Sequence, residues 1–263
     1  GDFDAAGRYY AAAAKADPEN SSARVALALL QIAKGDSQTG LSALEGLAAQ
    51  DRGTAADYVL VNALLGRGDA DAALRQLDVI QKKAPTDPAA YVIRGNLLQL
   101  RKDSAGARSS YDRALGVDAN YLPAVAGLAA MDLADGRPDE ARKRYREVLK
   151  RDPKNYRAML ALADLLQRTG AKVAELEPLL LSAVEANPFD ARARLALIQY
   201  RLATFRAAQA LASAQDAVAA IPDDLMLQDA LARAQLAAGD AQQARATLGR
   251  IAAAQPKVPD PFM

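Results

Sequence analysis

Asn62 and Asn96 stand 34 positions apart. An amide offers both a donor and an acceptor, so two of them at equivalent places could pair with the backbone of an extended peptide. Further along, Arg157, Asp164, Arg168, Arg192, Gln199, Asp229 and Arg233 mix signs at helical spacing. Such residues form i, i+4 surface pairs, as Asp164 with Arg168 and Asp229 with Arg233 would. The alternative is a polar groove for an acidic or hydroxyl-rich polymer or a disordered partner segment. The densest basic run, Arg137 to Arg157, sets nine Lys or Arg against four Asp or Glu. It reads as a solvated outer helix face, with anion docking as the second reading.

Reaction chemistry has less to work with. The chain has no His or Cys, which removes Ser-His-Asp and Cys-His nucleophiles, thiolate metal sites and disulfides. Carboxylate pairs such as Asp223-Asp224 and Glu175-Glu177 fall in loops or at helix starts, where they favour the positive helix end. Nothing in the sequence encloses two of them in one pocket, as general acid/base work requires. No catalytic residue, cofactor or metal is therefore expected. With 33 Lys plus Arg against 32 Asp plus Glu, the net charge of +1 supplies no global field for nucleic acid. No window approaches eighteen uninterrupted apolar residues, and the first residues lack the basic-then-apolar order of a secretion signal. Composition does not fix the compartment.

The elements that must position these residues follow from a repeat. Of the 263 residues 63 are alanine, the best helix former and a poor core filler. Turn-like points at Gly1, Gly35, Gly68, Lys102, Gly136, Gly170, Phe205 and Gly239 are spaced 33 to 35 residues apart. Five carry Asp next: Asp2, Asp36, Asp69, Asp103 and Asp240. About half a period later come Pro18, Pro85, Pro153, Pro188, Pro222 and Pro256, with Arg52 and Ala119 as exceptions. Proline cannot continue a helix, so each period holds two helices. The Gly-Asp step ends the first, with Gly taking positive φ, and Asp caps the second.

Apolar positions recur in the same register. Five past the turn stand Ala6, Ala73, Ala107, Ala141, Ala210 and Ala244; eight before it stand Leu27, Leu60, Leu128, Leu162, Leu197 and Leu231. Nine past it come Tyr10, Leu44, Leu77, Tyr111, Tyr145 and Leu248. Small residues let helices approach, and large ones fill between them. The repeat spacing makes Tyr9, Tyr10, Tyr111 and Tyr145 core fillers rather than base-stacking platforms. Arg94, where leucine otherwise recurs, must snorkel, pair with an acid or perturb the seam, with snorkelling the favoured outcome.

This register resembles the tetratricopeptide repeat (TPR) family, whose unit is a 34-residue helical hairpin. Departures are the family's early aromatic, kept only as Tyr91, and one extra residue near Ala171 to Val173. The resemblance implies an all-α, right-handed TPR superhelical solenoid of antiparallel helix pairs. The expected organisation is a lone second helix at 2–16, then pairs at 21–51, 54–85, 88–118, 122–152, 156–187, 190–221 and 224–255. Residues 257–263 are a tail or the start of a further repeat. Beginning in mid-unit, the chain is expected to be a segment of a longer array.

The resemblance also implies a concave groove lined by first-helix residues ten, six and three positions before each turn, which holds a protein or peptide partner. The candidate lining residues are Tyr58, Asn62, Asn96, Arg157, Asp164, Arg168, Arg192, Gln199, Asp229 and Arg233. Where peptide-gripping relatives carry lysine, this chain has Tyr58 and Val92, which speaks against a carboxylate-gripping clamp there. In the runs Ala73 to Pro85, Tyr121 to Leu133 and Gly170 to Pro188, and in order from about Asp57 to Pro256, the chain is similar to the TPR lipoproteins of the PEP-CTERM/exosortase system. That likeness implies a periplasmic or outer-membrane-anchored Gram-negative protein serving exopolysaccharide export or protein sorting, with membrane attachment only through a lipid anchor outside this segment. A generic cytoplasmic TPR adaptor and an accessory array for a catalytic domain elsewhere are the alternatives. No obligate oligomer and no nucleic-acid partner are expected.

Overall fold

The computed structural model describes residues 3–17, 19–170 and 173–254. The points at Gly1 and Asp2, Pro18, Ala171 and Lys172, Pro256 and the 257–263 tail lie outside them. Among the described residues there are fifteen helices and no strand. The chain divides into two compact units, 1–131 and 132–263, which part within one helix.

The first unit holds α1 (Phe3–Ala16), α2 (Ser21–Ala33), α3 (Ser37–Gln50), α4 (Ala55–Gly66), α5 (Ala70–Lys83), α6 (Pro88–Leu100), α7 (Ser104–Val117) and most of α8 (Leu122–Ala134). The second holds α9 (Pro138–Arg151), α10 (Tyr156–Arg168), α11 (Val173–Ala186), α12 (Ala191–Ala203), α13 (Ala207–Ala220), α14 (Leu225–Ala237) and α15 (Ala241–Ala254). Consecutive helices pack on one another within each unit. The first helices of successive pairs also touch: α2 with α4, α10 with α12, and α12 with α14. Helices of this length are marginal alone in water, so it is stacking that orders them.

One residue step links each pair. Gly35, Gly68, Gly136, Gly170 and Gly239 have φ between 66° and 96°, and Lys102 and Phe205 adopt 64° and 57° in the same role. The next amide then reaches back to close the helix end: Asp36 N to Gln31 O at 3.0 Å, Asp69 N to Leu64 O at 2.9 Å, Arg206 N to Arg201 O at 2.9 Å. Where that next residue is Asp, its carboxylate also caps the following helix, as Asp69 accepts from Ala72 N at 3.0 Å and Asp103 from Gly106 N at 2.9 Å. One aspartate thus satisfies groups at both ends of the turn.

Between the helices, Ala73, Ala107, Ala141, Ala210 and Ala244 are wholly buried, as are Leu44, Leu77 and Tyr111. Gly40 stands where alanine recurs because a Cβ there would meet Ala28 O and Ile32 Cγ1, each at 2.5 Å. The Tyr111 ring is seated between two glycines: a Cβ on Gly95 would approach it to 2.6 Å, and one on Gly127 to 2.5 Å. Asp57, also fully buried, is held by Lys83 Nζ at 2.8 Å and Gln76 Nε2 at 2.6 Å. Lys83 donates besides to Ala48 O and Asp51 O, so this buried pair has the extra hydrogen bonds that charges out of water need.

Three expectations are corrected. Tyr9 is 71% exposed rather than a core filler, because α1 buries no residue and packs chiefly on α2. Leu248 on α15 is exposed, since among the described helices α15 packs on α14. Arg94 does not snorkel: it pairs with Asp78 and donates to Leu74 O at 3.1 Å, bridging α6 to α5.

Candidate functional site

In the second unit the first helices of three pairs, α10, α12 and α14, present two open clefts. One, of about 480 Å³, lies between α10 and α12 and includes Arg157, Leu160, Asp164, Gln167, Arg192 and Gln199, with Leu176 and Leu180 of α11 and Tyr200 behind them. The other, of about 600 Å³, lies between α12 and α14 and is walled by Leu195, Gln199, Leu202, Leu225, Met226, Asp229 and Arg233. Gln199 borders both, so a polar side chain sits where one cleft gives way to the next. Leu160, Asp164 and Gln167 are ten, six and three positions before Gly170; Leu195, Gln199 and Leu202 stand likewise before Phe205. The α10–α12 cleft has buried Leu176 and Leu180 in its depth and exposed polar groups at its edge, and the α12–α14 cleft mixes aliphatic and polar groups, combinations with which a groove takes an extended or helical segment.

The charged groups on this face are ordered by their neighbours. Arg168 pairs with Asp164 at 3.3 Å and Arg233 with Asp229 at 2.7 Å, both one helical turn apart and exposed. Such pairs add little stability, so binding a partner would lose little by opening them. Asp190 caps α12, accepting from the Arg192 and Ala193 amides at 2.8 and 3.3 Å, and also takes two hydrogen bonds from the Arg192 guanidinium. Chiefly through that guanidinium, its carboxyl is held down to about 2. Tyr156, at the first position of α10, accepts from Arg157 Nε at 3.2 Å and from Arg192 Nη2 at 3.3 Å. On α11, Glu177 receives Arg201 and Arg206; burial works against its charge, but the two guanidinium groups hold its carboxyl below the usual range.

The candidates of the first unit are arranged differently. Tyr58 donates its hydroxyl to Asp87 at 2.6 Å, and burial, reinforced by that carboxylate, raises its hydroxyl above the usual phenol range. Asn96 is exposed, yet its Oδ1 accepts from the buried Tyr111 hydroxyl at 2.7 Å, with Gln99 Oε1 as a second acceptor at 3.1 Å. Asn62 is exposed and makes no hydrogen bond among the described residues. The two amides thus occupy equivalent positions, but one of them is partly engaged in bracing the core. On this face lie a hollow of about 300 Å³ by Leu29, Ile32 and Ala63 and one of about 380 Å³ by Asn96, Gln99 and Leu100.

Two features of the second unit escaped reading by residue type. The first is the residue nine positions before the turn: Ala161, Ala196 and Ala230 border the clefts, whereas in the first unit Val59 and Ile93 pack against the core, Tyr111 lies against Gly127, and Ala26 is the other small residue at that register. That signal stood in the repeat register. The second is the Asp190–Arg192–Tyr156–Arg157 cluster, whose members come from two repeats and are joined only by the stacking of α12 on α10. The basic run of α9, by contrast, is largely spent on acids: Arg142 on Asp139, Lys150 on Glu147, Arg146 on Glu175, and Arg137 and Arg144 on the buried Asp132. No group of three or more potential metal ligands occurs among the described residues, and no described helix is long and apolar enough to cross a membrane.

The hairpin repeat and the grooved face of its first helices define a helical-repeat binding protein. The family model for the tetratricopeptide repeat matches residues 1–55, 58–121 and 127–191, well over half the chain, and the chain belongs to that family. Among solved structures it is similar to yeast Tom70, with a TM-score of 0.64 at 15% identity, covering 97% of this chain and 55% of that one. It is similar also to PilW, a widely conserved type IV pilus biogenesis factor (TM-score 0.54, 18% identity, 77% of this chain and 94% of that one). A tetratricopeptide repeat protein from Parabacteroides merdae aligns over 89% of this chain and 93% of its own, with a TM-score of 0.51 at 18% identity. At these identities the likeness shows the fold alone. No curated protein matches the chain.

Proposed function

We propose that this TPR chain is a non-catalytic scaffold that binds a segment of a partner protein along α10, α12 and α14. The observation that carries the reading is the pair of adjoining clefts that share Gln199, each lined by both aliphatic and polar side chains. The fold alone does not name the partner. Dodecapeptides selected from a random phage-displayed library on the full chain provide the probe. Ala196→Leu fills the α10–α12 cleft, and is expected to weaken their binding at least about tenfold, a loss of about 1.4 kcal/mol, with unchanged far-UV circular dichroism. Undiminished binding by that variant removes the reading.

The finer reading is that the chain is part of a periplasmic or outer-membrane-anchored TPR lipoprotein serving exopolysaccharide export or PEP-CTERM/exosortase sorting. It is supported by the ordered segment resemblance from about Asp57 to Pro256. A secretion signal with a lipid-bearing cysteine in the full-length gene would favour it. The lack of both would favour a cytoplasmic adaptor.

A further inference from the structure

Two arginines from neighbouring repeats converge on one tyrosine oxygen at the lip of the α10–α12 cleft. Arg157 and Arg192 are each the second residue of their helix, and each donates to Tyr156 Oη, at 3.2 and 3.3 Å. Their guanidinium carbons lie 5.8 and 6.0 Å from the Tyr156 ring centroid, within the range at which a cation is drawn to an aromatic face. Like charges brought this close repel unless something offsets them. One carboxylate is at hand, Asp190, and it is already engaged: it caps α12 through two amides and binds Arg192 through both oxygens. Arg157 pairs with no acid among the described residues; its hydrogen bond goes to Tyr156 alone. The cluster therefore carries one more positive charge than its carboxylate balances, on exposed side chains that border a cleft whose depth is aliphatic, with Leu160, Leu176, Leu180 and Ala196.

We propose that Arg157 and Arg192, both oriented by Tyr156, grip an aspartate or glutamate side chain of a bound peptide, next to an aliphatic side chain that enters the cleft. The inference rests on the peptide-binding reading above and names the chemistry of its ligand. Guanidinium groups suit a carboxylate because their planar donors match its two oxygens. Tyr156 fixes both arginines before the ligand arrives, which lowers the ordering cost of binding. An internal side chain is favoured over a chain terminus because Gln199 borders a second cleft, over which a peptide can run on past the arginines.

The test uses the same library, displayed so that the peptide's own C-terminus is not free. Peptides selected on the full wild-type chain should be enriched in Asp or Glu beside Leu, Ile or Met. Selection on Arg157→Gln/Arg192→Gln should lose the acidic preference and keep the aliphatic one. For one enriched peptide made synthetically with an amidated C-terminus, fluorescence anisotropy should show at least about tenfold weaker binding when its acid is replaced by the amide, and a similar loss for the double variant with the acidic peptide. Tyr156→Phe, which keeps the ring and removes the shared acceptor, should give a smaller loss. Enriched peptides without acids, or equal binding of acid and amide forms, overturn the proposal. If those peptides are still lost with Ala196→Leu, the groove reading stands without it. Recovery of the amide peptide's affinity by a free C-terminal carboxylate would show a terminus-binding site instead. Failure to select any peptide contradicts both readings.

Discussion

The first helices of the two units share one register and use it in opposite ways. In the first unit, polar residues on that face brace the fold: Tyr58 holds Asp87, and Asn96 and Gln99 accept from Tyr111, whose ring fills the space that Gly95 and Gly127 leave. Val59 and Ile93 pack against the core. In the second unit, Ala161, Ala196 and Ala230 at Val59's register border clefts, and of the polar groups there Asp164 and Asp229 pair within their own helices while Arg192 reaches Tyr156 of the preceding repeat. Which repeats can accept a ligand thus depends on side-chain volume at this position, and on whether a neighbour fills the space a small residue leaves, as Tyr111 does at Gly127, as well as on the polar residues themselves.

The largest expected effect sharpens that contrast. Tyr111→Ala removes a wholly buried ring and its hydroxyl donor, and should cost the first unit about 4 kcal/mol. Hydrogen exchange is the appropriate readout, because a stack of repeats need not unfold in one step. Protection should fall in α6 and α7, while α12 to α15 keep theirs, since cohesion passes between neighbouring helices. Equal loss throughout would mean that the bracing is not local to the first unit.

The smallest expected effect concerns what the units have in common. Lys102 and Phe205 occupy the left-handed turn position that is glycine elsewhere, one in each unit, and Phe205 is 96% exposed, so it packs on nothing there. A non-glycine residue in that region costs about 1–2 kcal/mol, partly offset by the greater chain entropy of glycine when unfolded. Lys102→Gly and Phe205→Gly should each stabilise by about 0.5–1 kcal/mol in chemical denaturation. A destabilising result at Phe205 would point to a contact that the turn geometry does not reveal.

Much of this was legible in the sequence, because a repeat prints its register many times over. Lys102 and Phe205 fall on the turn by spacing alone, although neither residue favours positive φ, and the structure puts both there. The Gly-Asp step predicts both helix ends, since the same backbone groups need partners at every turn. Arg94 shows the limit: the register makes its position anomalous, but which acid answers it depends on the packing of α6 against α5. Tyr9 followed the periodicity and still lies in solvent, because periodicity gives the face a residue occupies and a neighbour must supply the cover. The candidate site was read in part. The charged positions followed from the register, but the meeting of Arg157, Arg192 and Asp190 around Tyr156 required two repeats to be stacked.

The most direct test of the account is hydrogen–deuterium exchange on the full chain with and without a peptide selected on it. The account predicts added protection in α10, α12 and α14, with α4 and α6 unchanged. Protection confined to α4 and α6, or spread equally over the first helices of both units, would contradict it.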